Sequence, residues 1–262
     1  MNIFEKQQFY TYDVPFQMHF AGLFDSVFIS WFPFFKIACK PGKTSSFKKS
    51  FEISLDDIRA IDPIFNKIQA SNAVIYTSNK DYPERSVILT HGQEVSWNEV
   101  KTGAGFQNFS ELYKALKTSI GAYNHAFSRR GLAERLQTFL EKEQFWQPGE
   151  GAFDPITLRK IYSSFMILGK PNIIVEDEFL ETKRELYLPS LTIDEFAEEI
   201  GGKDYYIYDI DRSLLFVTEW DSFFHLICSS SENVERIVSD LRFEGFYADS
   251  TTIHGWEHLD NE

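Results

Sequence analysis

The chain has 262 residues, of which 43% are hydrophobic and 16% aromatic, so it can bury a substantial core and is unlike a disordered protein. Its formal net charge is −13, and the charge is divided unevenly: residues 1–150 contain 17 basic and 16 acidic side chains, whereas residues 151–262 contain 9 and 23. A field of this sign repels nucleic acid and anionic membrane surfaces and attracts basic proteins, so we expect no nucleic-acid or membrane partner.

No segment of the sequence predicts secretion or membrane insertion. Residues 1–10 contain charged side chains and glutamines and lack the apolar centre of a signal peptide. The most apolar run, residues 27–39, is too short for a membrane span, and Pro33 interrupts it, so it predicts one buried strand. Cys39 and Cys228 lie in apolar segments, which is typical of reduced core residues. We therefore expect a cytoplasmic protein.

Extended segments and turns dominate the first hundred residues. Ser54 and Asp57 have the spacing of a capping box, which predicts a helix beginning there. Residues 96–108 predict a loop. The segments with an extended or β-like pattern are residues 12–20, 47–53, 73–77 and 85–90.

A long helical pattern follows at residues 110–145, where apolar side chains recur at helical spacing. Gly131 predicts a division of this stretch into two helices. Residues 147–151 (Gln-Pro-Gly-Glu-Gly) are the best linker candidate and coincide with the change in charge. The sequence thus predicts an aromatic-rich α+β part at 1–146 and an acidic α+β part at 152–262. Whether they form one compact unit stays open.

The second part has the clearer pattern. Asp154 followed by Pro155 predicts a helix start, and Thr192 with Glu195 predicts a capping box. Three β-like runs follow, with short links that make neighbouring strands antiparallel. These runs are residues 204–210, 214–220 and 222–229. A helix and a fourth strand after them complete a β-β-β-α-β layer, so we predict an α+β fold with mixed or antiparallel sheets and packed helices.

This last segment also resembles a group of known proteins. It contains Tyr206-Ile207-Tyr208-Asp209 in one strand and the run Leu-Phe-Val-Thr-Glu-Trp-Asp at 215–221 in the next. Over residues 203–262 it is similar to the C-terminal part of small bacterial cytosolic proteins of unknown function, some of which are immunity proteins of contact-dependent toxin systems. The resemblance brings no catalytic residues with it and implies a protein that acts by binding.

The densest group of acidic residues lies in the predicted meander, where Asp209 and Asp211 lie at one end of the first hairpin and Glu219 and Asp221 at the other. At about 3.4 Å per residue, these ends are roughly 20 Å apart and cannot form one metal or acid–base site. We predict instead that these four residues, with Trp220 as an aromatic anchor, contact a basic protein partner. We expect no metal and no cofactor.

The alternative is an enzyme or ligand-binding protein that recognises a small molecule in a pocket of the N-terminal part. Residues 103–106 (Gly-Ala-Gly-Phe) predict a flexible loop that could form a lid. His125, Arg129 and Arg130 are the side chains that could hold a phosphate or a carboxylate there. No P-loop, dinucleotide fingerprint or nucleophile elbow accompanies them. His225 alternates within an apolar run, which predicts a hydrogen-bonded core histidine.

Overall fold

The computed structural model describes residues 13–38, 52–53, 75–76, 82–121, 127–218 and 222–258. The α-helices among them are α1 (Phe16–His19), α2 (Arg85–His91), α3 (Trp97–Gly103), α4 (Phe109–Ser119), α5 (Arg130–Glu143), α6 (Pro155–Ile167), α7 (Ile193–Glu199) and α8 (Ser231–Leu241). The strands are β1 (Ser26–Trp31), β2 (Phe34–Ile37), β3 (Glu52–Ile53), β4 (Ile75–Tyr76), β5 (Gly92–Val95), β6 (Asn172–Asp177), β7 (Lys183–Tyr187), β8 (Asp204–Asp209), β9 (Leu215–Thr218), β10 (Phe224–Ser229) and β11 (Gly245–Tyr247). The fold is α+β, as predicted.

A seven-stranded sheet organises the fold, with the strand order β11-β1-β10-β9-β8-β6-β7. All neighbouring strands are antiparallel. The predicted meander is confirmed as β8-β9-β10. Strand β1, from the first part of the chain, lies between β10 and β11, so the sheet contains strands from both sides of residues 147–151. The short pairs β2-β5 and β3-β4 form two further sheets.

Helices cover both faces of the large sheet. Strands β8, β9 and β10 are buried along their whole length. One face packs against α3, α4 and α5 through an aromatic-rich cluster that includes Trp31 and Tyr113. The other face packs against α6, α7 and α8 through a cluster that includes Phe196 and Phe216. Successive strand residues point to opposite faces, so both sides of the central strands are apolar.

Two local predictions in the first part are wrong because distant residues decide the structure. Residues 85–90, predicted as a strand, form most of α2, and Arg85 binds the carbonyl oxygens of Ala197 and Ile200 at the end of α7. Residues 96–108, predicted as a loop, contain α3. The carboxylate of Glu244 accepts the N–H of Trp97 at the start of that helix. Neither contact leaves a local sequence signal.

Three further predictions need correction. Residues 12–20 were expected to be extended, but α1 occupies part of that segment. The apolar run at 27–39 forms β1 and β2 in two different sheets, with Pro33 between them, since proline has no N–H for a ladder. Helix α5 runs through Gly131 in its first turn, and the division of the long helical stretch falls before it.

Several start signals of the second part are confirmed. Asp154 is the N-cap of α6, with Pro155 in the first turn. Thr192 and Glu195 form the capping box of α7. The helix predicted from Ser54 lies outside the described residues. No helix of the described ranges is both long and apolar enough to cross a membrane.

Candidate functional site

Asp209, one of the predicted contact residues, is buried at the end of β8. It is 2% exposed, and its carboxylate lies 2.8 Å from the ammonium group of Lys170. It also accepts the backbone N–H groups of Ser213 and Leu214, at 2.8 and 2.6 Å. Burial by itself would raise the pKa of this carboxyl, but the hydrogen bonds, above all the one from Lys170, outweigh burial and lower it. Asp209 therefore organises the β8–β9 turn within the chain.

Asp211 lies in the same turn and is exposed. Its contact with a partner stays a prediction. The other predicted contacts, Glu219, Trp220 and Asp221, lie outside the described residues, and so does His125 of the alternative pocket.

Arg129 and Arg130 lie on the surface at the start of α5. Arg130 forms an ion pair with Glu134 at 2.9 Å in which both side chains are 63% exposed. Neither arginine lines the open groove of about 490 Å³ between the end of α3 and α5. That groove is lined by Gly103, Ala104, Gly131, Glu134, Arg135, Thr138, Phe139 and Lys142.

The loop predicted as a lid is packed against α5. Arg135 donates a hydrogen bond to the carbonyl oxygen of Gly105 at 3.2 Å, and its guanidinium carbon lies 5.5 Å from the centre of the Phe106 ring. Phe139 packs directly on Gly103, where a Cβ atom would come within 2.3 Å of the ring. These contacts fix the position of the loop. They also mean that Arg135, the arginine that lines the groove, already has partners inside the chain.

The buried histidines belong to the core. His225 is fully enclosed, with the Phe32 ring stacked on it at 5.2 Å, and neither of its ring nitrogens has a hydrogen-bond partner among the described residues. Its core position was predicted correctly, but the predicted hydrogen bond was not found. His254 lies 3.1 Å from the hydroxyl oxygen of Ser222, and both residues are buried. Within the described ranges, no three His, Cys, Asp or Glu side chains lie close enough to hold a metal ion.

The strongest concentration of negative charge lies at the β7 end of the large sheet. Residues 172–204 contain ten acidic and three basic residues, so this stretch has about half of the net charge of the chain. Two of the three basic residues are used within the stretch: Arg184 pairs with Asp204 at 2.8 Å, and Lys183 lies 3.8 Å from Glu176. The exposed carboxylates for which the described residues supply no ion pair and no helix cap are Glu178, Glu181, Glu185, Glu198 and Glu199.

The fold brings the carboxylates of the β6–β7 loop to the end of α7. Asp177 accepts the N–H groups of Glu181 and Thr182, which orders the β6–β7 loop that contains Glu178. The N–H of Glu178 donates to the carbonyl oxygen of Lys203, and Arg184 donates to that of Glu199. The hairpin loop therefore lies beside the C-terminal end of α7.

Two large apolar side chains are exposed at the opposite end of the same strands. Tyr187 of β7 is 54% exposed, and Ile210, directly after β8, is 52% exposed. Both neighbour Asn172: Tyr187 is its register partner, and the N–H of Ile210 donates to its carbonyl oxygen at 3.3 Å. Cross-strand partners share a face of the sheet, so Tyr187 and Ile210 lie on the same face, next to the exposed Asp211.

We call this surface the β7 edge; it comprises β7, the carboxylates of the β6–β7 loop and of α7, and the residues Ile210 and Asp211. It has an exposed aromatic and an exposed aliphatic side chain at one end and exposed carboxylates at the other. The sequence showed that the second part is acidic, but it did not indicate that Lys183–Tyr187 forms a strand at the end of the sheet. Its residues, Lys-Arg-Glu-Leu-Tyr, do not alternate between apolar and polar types, so the strand has no local sequence signal.

Comparison with known proteins gives a family but no activity. The family described as "Protein of unknown function (DUF2711)" matches residues 12–258. The chain is also 25% identical, over 175 residues, to the uncharacterized protein YwbB of Bacillus subtilis (strain 168), covering 67% of this chain and 77% of that protein. No solved structure matches the chain. The similarity to proteins of unknown function therefore extends over nearly the whole chain, and the prediction that it is confined to residues 203–262 is wrong.

Proposed function

The chain belongs to the DUF2711 family of proteins of unknown function, and we propose that it is a non-catalytic bacterial protein that binds a basic protein partner through the β7 edge. The observation on which this proposal rests is a set of five exposed carboxylates that have no ion pair among the described residues, on the same edge of the sheet as the exposed Tyr187 and Ile210. Unpaired surface charge of one sign steers an oppositely charged partner into contact, and exposed aromatic and aliphatic side chains then supply buried area. An immunity protein that covers a basic toxin surface would act in this way.

The competing proposal is a small-molecule site in the groove between α3 and α5. Its size, about 490 Å³, lies within the range of ligand pockets. The groove is open to solvent, and Arg135 already donates to Gly105. A ligand would therefore gain little enclosure and would have to displace an internal contact, so the partner proposal is preferred.

The test of the proposed function is a comparison of two charge variants with the unaltered protein. The first variant, E198Q/E199Q, removes two unpaired carboxylates of the β7 edge. The second, E232Q/E235Q, removes two exposed carboxylates from α8 and matches the first in total charge. Each tagged protein is used to capture proteins from lysate of its source cells at low and at high salt.

We expect one basic protein to bind in equimolar amount to the unaltered protein and to the α8 variant at low salt. It should be lost from the E198Q/E199Q variant and lost from all three proteins at high salt, because screening removes charge steering. Equal capture by the unaltered protein and both variants, or no capture at low salt, would contradict the proposed function.

A further inference from the structure

We propose that the β7 edge binds its partner by strand addition, in which an extended lysine- or arginine-rich segment of the partner pairs with β7 as an eighth strand of the large sheet. The proposal rests on the proposed function, since it names the mode of binding and the segment recognised at the same surface. Strand addition uses main-chain hydrogen bonds for affinity and alternate side chains for specificity.

The backbone of β7 has unpaired groups on its outer side. The N–H of Leu188 donates to the carbonyl oxygen of Pro171, and the N–H of Asp177 donates to that of Thr182. Hydrogen-bonded and non-bonded pairs alternate along an antiparallel ladder, so Arg184 and Leu186 bond to β6. The N–H and C=O groups of Lys183, Glu185 and Tyr187 therefore point away from β6.

Strand β7 is the last strand of the sheet, and no other strand among the described residues pairs with its outer side. The three residues with outward backbone groups are also exposed in their side chains. An outer edge of this kind is a template for another strand, unless charged side chains on the edge repel that strand. Within β7, Lys183 lies 3.8 Å from Glu176 and Arg184 pairs with Asp204. The negative charge around the edge comes from the exposed carboxylates that flank the strand, and it repels acidic chains and favours basic ones.

The side chains beside the edge favour basic residues in the added strand on both of its faces. On one face, the strand would meet the carboxylate of Glu185, the ring of Tyr187 and Lys183, whose ammonium group lies 3.8 Å from Glu176. On the other, Arg184 and Leu186 point toward the helices, where Arg184 reaches the carbonyl oxygen of Glu199 at the end of α7. Lysine or arginine side chains on that face would come close to the carboxylates of α7.

A second copy of this chain is the less suitable occupant. Antiparallel pairing of two β7 strands about their centre would place Glu185 opposite the same residue of the other copy, and like charges directly opposite are destabilising. The unpaired carboxylates of both copies would also be brought together. A basic segment removes both repulsions.

The test uses the full chain and a short synthetic peptide of alternating lysine and valine, blocked at both ends. Amide hydrogen exchange resolved by residue is measured with and without the peptide at low salt. In the free protein, the amides of Lys183, Glu185 and Tyr187 should exchange faster than those of Arg184 and Leu186. With the peptide bound, the three fast amides should become protected.

A matched pair of variants distinguishes the contribution of backbone hydrogen bonds to peptide binding from the contribution of side-chain charge. E185P removes an outward N–H and leaves the bonds to β6 intact, a position where an edge strand tolerates proline. E185Q removes only the charge. We expect E185P to weaken peptide binding about tenfold relative to E185Q, the effect of losing one or two hydrogen bonds and the strand geometry. Circular dichroism and thermal unfolding report whether each variant folds.

The outcomes are distinct. Peptide binding that is salt-sensitive but leaves the three amides unprotected would overturn strand addition while leaving the proposed function in place. No binding of the peptide at low salt would contradict both. Sedimentation could instead show a concentration-dependent dimer in which the same three amides are protected without peptide. The occupant of the edge would then be a second copy of this chain, and the proposal would be overturned.

Discussion

The carboxylate of Glu244 accepts the backbone N–H of Trp97 at 2.6 Å, although the two residues are 147 positions apart in the chain. It also accepts the N–H of Asn98 at 3.3 Å, so it caps helix α3 in addition to the local cap Ser96. Burial raises the pKa of Glu244, and these two hydrogen bonds oppose the increase. The contact joins the segment before β11 to the helix that follows β5.

This relationship gives the first prediction. The substitution E244A should lower the free energy of unfolding by about 1 kcal/mol, the usual effect of losing a helix cap. E235A, on the exposed side of α8, should change it by less than about 0.5 kcal/mol. Urea denaturation of the three proteins measures the difference, and equal midpoints for the two variants would show that Glu244 does not stabilise α3.

Arg85 is predicted to be the main link between α2 and α7. Its guanidinium donates to the carbonyl oxygens of Ala197 and Ile200 at 2.6 and 2.8 Å. R85A leaves carbonyl groups at the end of α7 without these donors, so the free energy of unfolding should fall by about 2 kcal/mol. R130A removes an exposed ion pair and should cost about 0.5 kcal/mol or less. Thermal unfolding of both variants provides the comparison, and a loss for R130A as large as that for R85A would contradict this role of Arg85.

Asp209 and Asp211 are separated by one residue, but alanine substitution should destabilise the protein only at Asp209. D209A leaves the ammonium group of Lys170, 18% exposed in its side chain, without its carboxylate and should lower the free energy of unfolding by about 3 kcal/mol. D211A should leave stability unchanged, because its side chain is exposed.

Substitution of the exposed Asp211 should affect partner binding instead of stability. D211K should weaken capture of the basic partner without a change in unfolding, since it adds a positive charge beside Tyr187 and Ile210. Capture that is unaffected by D211K would remove Asp211 from the predicted contact residues.

The buried His225 predicts a pH dependence of stability. Burial, together with the nearby charge of Lys160, lowers the pKa of His225 from 6.5 to about 3. The unfolded chain therefore binds the proton more readily than the folded one. The stabilising contribution is fully present above pH 6.5 and is lost as the pH falls from 6.5 toward 3.

The corresponding variant is H225L, whose free energy of unfolding should decline less steeply over that pH range than that of the unaltered protein. H91L is the control, because His91 is exposed and its replacement leaves the core intact. Urea denaturation at a series of pH values measures the slopes. Identical slopes for H225L and the unaltered protein would mean that His225 titrates normally in the fold.

The sequence by itself determined the features that depend on a few neighbouring residues. The capping box of Thr192 and Glu195, the start of α6 at Asp154 and the meander with short links were all predictable, because the groups involved lie within a few positions of one another. The excess of acidic residues after residue 151 was also readable directly from composition.

Only the tertiary structure decided the features that depend on contacts across the chain. The pairing of β1 with β10 and β11, the capping of α3 by Glu244 and the anchoring of α2 by Arg85 each join residues more than a hundred positions apart. The same holds for the candidate site. Composition identified an acidic part, but the burial of Asp209 and the position of β7 at the end of the sheet follow from which strands pair, and strand pairing between distant segments has no local signal in the sequence.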